Sequence, residues 1–177
     1  MSINEEPIGI PQSTINTWQE IVDILAHIID IPAGLIMRVN DPDIEVFVSS
    51  NNEGNPYSPG DKENVWGSGL YCETVIKSQE KLLVPNALAD ENWKHNPDIK
   101  LNMIFYLGYP ILFPNGDTFG TICVLDKKEN SYSDYFEKLI EKFRDLVQSD
   151  LALRFMNQFL NDKNNQLMHY ISELKTL

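Results

Sequence analysis

The tract from residue 104 to residue 126, IFYLGYPILFPNGDTFGTICVLD, constrains this chain more than any other. Two apolar runs, roughly Ile104 to Phe113 and Asp117 to Leu125, flank Pro114-Asn115-Gly116. Asn-Gly between strand-like runs is the strongest short-range hairpin signal, because a type I′ turn needs φ > 0 at both central residues. Both arms are rich in aromatic and β-branched side chains, which suit a pleated sheet. Pro110 interrupts the first arm; lacking an N–H, it predicts a bulge or an unpaired position there. A long irregular loop, residues 86–103, precedes the hairpin, with one helical turn expected around Asp98 to Met103. Such a layout builds a sheet with a covered pocket on one face, suited to sensing or binding.

Upstream, Thr17 is placed to cap a helix from about Trp18 to Asp30, with Trp18, Ile21, Val22, Leu25, Ile28 and Ile29 at helical spacing and Pro32 closing it. Ala33 to Val39 and Ile44 to Ser50 read as strands joined at Asp41-Pro42-Asp43. Residues 51–67 are rich in Asn, Gly and Pro and read as a long loop of the functional kind. A short helix from about Gly69 to Gln79, entered through Ser68, leads to a short strand from Lys81 to Pro85. The order of elements predicts an α+β domain: a central antiparallel sheet with helices on both faces and a long C-terminal helix.

That last helix carries the second strong signal. Ser133-Asp134 supplies a cap and a first-turn acid, and no Pro or Gly follows. Leu139, Leu146, Leu153, Leu160, Leu167 and Leu174 recur every seven residues. A straight helix drifts about 20° per heptad, so keeping these leucines on one seam calls for a left-handed supercoil with a partner. With leucine at d, the a positions are Phe136, Phe143, Asp150, Asn157, Asn164 and Ile171; polar a residues set register at a cost in stability. A second stripe, Phe136, Ile140, Phe143, Val147 and Leu151, suits packing on the domain's own sheet. A helix of about 44 residues is roughly 66 Å long, so its far half must pack elsewhere. The alternative is that Asn161-Asp162-Lys163-Asn164-Asn165 ends it and the tail folds back.

Composition narrows the function. Net charge is −12 with 23% charged residues, a field that repels phosphate backbones, so no nucleic-acid partner is expected. No run of about 18 apolar residues offers a membrane span, and the first residues lack a basic n-region and an apolar h-region. Two cysteines, Cys72 and Cys123, suit a reducing cytosol, so a cytoplasmic protein is expected. The three histidines and two cysteines show no metal-ligand spacing, and no phosphate loop or nucleophile elbow appears. No catalytic or metal site is expected, and nothing in the residues names a cofactor.

With these pieces placed, the chain resembles a GAF domain of signalling proteins, a relative of PAS domains. The residues that carry the resemblance are Leu82-Leu83-Val84-Pro85-Asn86-Ala87 with Asp90, the loop Trp93 to Pro97, Phe105 to Ile111, and Gly120 to Asp126. The resemblance implies three segments: an N-terminal lead (1–15), a sensory domain (16–150) and a signalling helix (151–177). It further implies an unidentified small-molecule ligand, a homodimer, and an output module such as a kinase, cyclase or transcription activator beyond the helix. The cyclic-nucleotide pattern is matched only by Lys127 and Glu137. Cys72 is followed by Glu73 instead of the histidine usual at a bilin-attachment cysteine, and the loop cysteine cluster of GAF-type sulfoxide reductases is absent. His95 could serve as a haem ligand or simply stabilise its loop. The pocket would lie between the hairpin's covered face and the Trp93 loop. Its candidate walls are Trp66, Tyr71, Trp93, His95, Asn96, Tyr106, Tyr109 and Thr121. Strand register decides which face inward. The alternative is a ligand-free dimerisation module in which these aromatics fill the core.

Overall fold

The computed structural model describes residues 9–175; residues 1–8 of the N-terminal lead lie outside the described residues. Helix α1 spans Gln12–Ile29. It starts earlier than the Thr17 cap predicts: Pro11 takes the N-cap position with φ −63° and no side-chain cap bond. Its carbonyl accepts the Thr14 and Ile15 amides at 3.0 and 3.1 Å, and Thr17 lies inside the helix, its hydroxyl donating to the Ser13 carbonyl at 3.2 Å. The apolar period marks where the helix packs, and a fixed proline φ marks where it begins. At its end Asp30 is left-handed (φ 54°) and the Ile31 amide reaches back to the Ala26 carbonyl at 3.0 Å, a Schellman closure ahead of Pro32.

The strands are β1 (Ala33–Asn40), β2 (Asp43–Ser49), β3 (Lys62–Asn64), β4 (Leu82–Val84), β5 (Phe105–Leu112) and β6 (Thr118–Asp126), in the order β3-β2-β1-β6-β5-β4. Every pairing is antiparallel. β3 falls inside the segment 51–67 expected to be all loop, and its side chains are exposed; it is held by pairing with β2 without a hydrophobic pattern of its own.

The β5–β6 hairpin forms with a different turn from the one predicted. Asn115 keeps a negative φ, and only Gly116 (φ 91°) is left-handed. The Gly116 amide donates to the Phe113 carbonyl at 2.9 Å and the Phe113 amide to the Asp117 carbonyl at 2.8 Å. This is a three-residue loop, a type I turn closed by a left-handed glycine, which Pro114 favours because its φ is preset for the first corner. Pro110 pairs opposite Thr121 within the ladder, and the register slips one step later, between Ile111 and Leu112. The Leu112 amide donates instead to Gln148 Oε1 at 2.9 Å.

Side chains alternate across the sheet and both faces are covered. Ile36, Phe105, Leu107, Tyr109, Ile111, Ile122 and Val124 pack with Trp18, Val22 and Leu25 of α1. Helix α3 (Asp134–Lys175) joins them through Ile140, Val147 and Leu151. The Trp18 indole N–H donates to Asp150 Oδ2 at 3.0 Å, tying α1 to α3. Gly34 lets α1 close on β1, since a Cβ there would sit 3.1 Å from the Val22 carbonyl oxygen. The other face carries Leu35, Ile44, Val46, Tyr106, Cys123 and Leu125 under helix α2 (Tyr71–Ser78) and the loop between β4 and β5.

α3 continues unbroken through residues 161–165, about 63 Å of helix at 1.5 Å per residue. Leu139 is half-buried against the core, whereas Leu146, Leu153, Leu160, Leu167 and Leu174 are exposed in the single chain. From Phe159 to Lys175 every side chain is exposed, so roughly 26 Å of helix buries no side chain against the rest of the described residues.

Candidate functional site

The second face of the sheet holds the candidate site, and α2 is its lid. The chain enters α2 through Gly67 and Gly69, both left-handed (φ 71° and 76°). Glu73 binds this entry: its carboxylate accepts the Gly67 and Gly69 amides at 2.7 and 2.9 Å and Lys77 Nζ at 2.6 Å. The Lys77 bond and the two amides hold the Glu73 carboxyl down at about 2. The pinned helix then turns Tyr71, Cys72, Val75 and Ile76 towards the strands.

Tyr71 stacks on Tyr106 with ring centroids 4.7 Å apart and meets Trp93 at 5.3 Å. Its hydroxyl donates to the Met103 carbonyl at 3.0 Å. Tyr106 lies flat along β5 because residue 108 is glycine: a Cβ there would overlap the Tyr106 hydroxyl. Cys72 Sγ is 3.4 Å from both the Tyr106 hydroxyl and Thr121 Oγ1. Cys123, in contact with Cys72 and fully buried, has its thiol pushed well above the ordinary range by both effects.

Beside this stack is a cavity of about 40 Å³. Leu35, Met37 and Ile44 wall it from β1 and β2, Cys123 and Leu125 from β6, Leu70 and Cys72 from the α2 end, and Tyr106 from β5. Two polar residues complete it: Tyr57, from the 51–67 loop, and Asp98, from the turn before β5. The Tyr57 hydroxyl donates to Asp98 Oδ1 at 2.8 Å. Burial raises the Asp98 carboxyl to about 6, against the lowering effect of the Tyr57 bond and with a further push from Glu63. No Lys, Arg or His lines the cavity among the described residues. Nor does any group of three or more His, Cys, Asp and Glu among them suit a metal ion. A space of this size admits a few waters, well below the few hundred Å³ of a typical organic-ligand pocket.

The expected wall residues divide by position. Tyr71, Trp93, Tyr106 and Thr121 come together on the covered face, and Tyr106 also lines the cavity. Asn96 is buried, but it works as a clamp on its loop: its amide donates to the Gly69 carbonyl at 2.7 Å and its oxygen accepts the Asp98 amide at 2.8 Å. His95 is exposed and Trp66 is 45% exposed, its indole N–H bound to Asp41; neither lines the cavity. Tyr109 belongs to the opposite face, where its hydroxyl donates to the Glu137 carbonyl at 3.2 Å. Sequence reasoning missed Tyr57 and Asp98. They lie 41 residues apart, and Asp98 in Asn96-Pro97-Asp98 reads as an ordinary first-turn acid behind an Asn cap.

A six-stranded antiparallel sheet with α1 and α3 on one face and a helix-and-loop cover over a small cavity on the other defines a mixed α+β domain of the GAF kind. The GAF domain family model matches residues 13–149, and the chain belongs to that family. Solved structures agree on the fold. A methyl-accepting chemotaxis protein (residues 122 to 287) superposes with TM-score 0.66 at 13% identity, covering 80% of this chain and 90% of its own. The PixJ GAF domain of Thermosynechococcus elongatus, in its blue-light absorbing form, gives 0.63 at 13% identity over 91% and 98%. The type II free methionine-R-sulfoxide reductase of Thermoplasma acidophilum gives 0.61 at 10% identity over 78% and 92%. A putative two-component sensor histidine kinase domain of Sinorhizobium meliloti is also similar. No curated protein matches significantly. Among the described residues no helix is long and apolar enough to cross a membrane.

Proposed function

We propose that this GAF domain is a sensory module, homodimeric through α3, whose cavity takes a small molecule and whose occupancy is relayed along α3 to an output module such as a kinase or cyclase. The observation that carries this reading is α3 itself. Its first half packs on the sheet through Ile140, Val147 and Leu151, while its second half carries Met156, Phe159, Leu160, Leu167, Ile171 and Leu174 exposed in the single chain. That much unpaired apolar surface on one helix marks an interaction face, and leucine at every d position favours two strands. Asp150 is already engaged with Trp18 of its own chain, so the seam would run mainly beyond it.

The resemblance to chemotaxis and histidine-kinase domains supports a signalling role; the resemblance to a sulfoxide reductase supports the fold. A binding role is favoured over thiol catalysis because Cys72 and Cys123 are buried and no Lys, Arg or His lines the cavity among the described residues. A second reading, a ligand-free dimerisation module, draws on the aromatic stack of the covered face, in which Tyr71 lies between Tyr106 and Trp93.

Sedimentation of the wild type and of Leu153→Lys/Leu160→Lys tests the dimer. Both leucines are exposed in the single chain, so the variant should fold normally. A wild-type dimer turned monomeric by the two lysines is expected; a monomeric wild type, or a dimeric variant, overturns the seam. Native mass spectrometry separates the two readings, since extra mass that is lost on denaturation marks an occupied cavity.

A further inference from the structure

We infer that the cavity selects a small organic cation, a protonated amine with a short apolar body, with Asp98 as its counter-ion. The inference rests on the reading of this cavity as a ligand site and adds the class of ligand.

Charge is the first argument. Asp98 is the only carboxylate, and no cation offsets it, among the groups lining the cavity. The remaining polar walls are the Tyr57 and Tyr106 hydroxyls and the Cys72 and Cys123 thiols. An anion placed here would lose hydration and gain only repulsion, whereas an ammonium group would neutralise a half-buried charge where Coulomb interactions are stronger than in water. Glu63 of β3 repels the same carboxylate, which adds to the unfavourable negative potential a cation at Asp98 would offset. The net charge of −12 adds long-range steering of the same sign.

Satisfaction is the second argument. The Tyr57 hydroxyl donates to Oδ1 of Asp98, and Oδ2 is not sealed from solvent without a partner. A carboxylate accepts several hydrogen bonds, and an ammonium group brings further N–H donors to it from the cavity side. Tyr57 and Tyr106 are rings of the kind that attract cations, and Leu35, Met37, Ile44 and Leu125 offer an apolar wall to a short alkyl body. At about 40 Å³ the space suits methylammonium or ethylammonium without movement of the Trp93 loop. The sheet face therefore discriminates against carboxylate and phosphate ligands by chemistry, not by size alone.

Binding should also follow the ionisation of Asp98. The groups facing it are Tyr57 and Tyr71, whose phenols are pushed up by burial, Cys72, whose thiol is pulled down by its bond with Cys123, Cys123, whose thiol is pushed up by that bond and by burial, and Glu63. Affinity for an amine should fall as the pH drops through about 6, because a protonated Asp98 is no counter-ion.

Amide chemical-shift titrations of the whole chain with ethylammonium chloride, ethanol and sodium acetate at pH 7.5 test the inference. Saturable shifts at Cys72, Tyr106 and Cys123 are expected with ethylammonium, binding at least about tenfold more tightly than ethanol or acetate. Asp98→Asn should remove that preference and leave ethanol unchanged. Acetate or ethanol binding as tightly as the amine overturns the cation inference while leaving a ligand site in place, and so does unchanged ethylammonium binding in Asp98→Asn. If no probe moves these amides, the ligand site itself is refuted, and the cation with it. The charge series on the wild type needs no variant.

Discussion

Asp98→Asn should stabilise this protein at neutral pH, and the gain should disappear in acid. The Asp98 carboxyl is raised from 3.8 to about 6, chiefly by burial. A carboxyl whose folded pKa lies above its unfolded value binds protons more tightly when folded, so stability falls as the pH rises from about 4 to about 6 and the loss is complete above that. At 1.36 kcal/mol per unit the cost at pH 7.5 is up to about 3 kcal/mol. Asparagine keeps an acceptor for the Tyr57 hydroxyl and removes the charge. Its amide then stands where Oδ2 was, without a partner, at a cost of about 1 kcal/mol. The net gain is about 2 kcal/mol, or about 4–8 °C in Tm for a chain of this size. Urea unfolding of both proteins at pH 7.5 and at pH 4 measures the difference at each pH. Equal stability at pH 7.5, or the same gain at both pH values, would refute the reasoning.

Three further outcomes follow from the packing. Glu73→Gln should cost about 2 kcal/mol at pH 7, since charged acceptors for the Gly67 and Gly69 amides and for Lys77 are lost. Because the Glu73 carboxyl sits at about 2 when folded, against 4.5, urea midpoints of wild type and variant should converge as the pH falls below 4.5 towards 2; a gap that persists at pH 2 would refute this. Gly108→Ala should cost about 1–3 kcal/mol by overpacking against Tyr106 and weaken the near-ultraviolet dichroism of the Tyr71–Tyr106–Trp93 stack; wild-type stability would mean the ring moves freely. Asp150→Ala should leave the buried Trp18 N–H unpaired and cost about 2 kcal/mol, read as a fall in Tm, while unchanged Tm would show that the bond contributes nothing net.

Most of the fold was legible because it rests on periodicity. The α1 stripe, the long α3 and the β5–β6 hairpin each announce themselves by which residues must be buried. β3 was not legible, since Lys62–Asn64 are exposed and pair through backbone alone. The turn type was misread because Asn-Gly is shared by two loop lengths, and Pro114 decides for the longer one. The candidate site was half legible. Tyr71, Trp93, Tyr106 and Thr121, named from aromatic and polar content around the hairpin, lie on the covered face, but only Tyr106 of them lines the cavity. Tyr106 and Tyr109 could not both face the cavity, because residues three apart on a regular strand point to opposite faces. Tyr57 and Asp98 meet only through the fold, and no local pattern distinguishes them from a loop tyrosine and a capping acid.

The same alternation that separates Tyr106 from Tyr109 gives the sensory reading its physical route. On β5, Tyr106 faces the cavity while Phe105, Leu107 and Tyr109 face the other way, into the core shared with α1 and α3. On β6, Cys123 and Leu125 wall the cavity while Ile122 and Val124 pack on the helical side. The link to α3 is direct at three points: Tyr109 bonds the Glu137 carbonyl, the Pro110 carbonyl accepts from Arg144 at 3.4 Å, and the Leu112 amide is held by Gln148. A ligand that moved Tyr106 would therefore act on strands whose backs are bonded to α3 at three points spread over about three turns. Such a shift signals only if the ligand binds one helix arrangement better than the other. The register slip at Leu112 supplies the place where a small strand movement can change a bond to the helix, because there the ladder gives way to a side chain of α3.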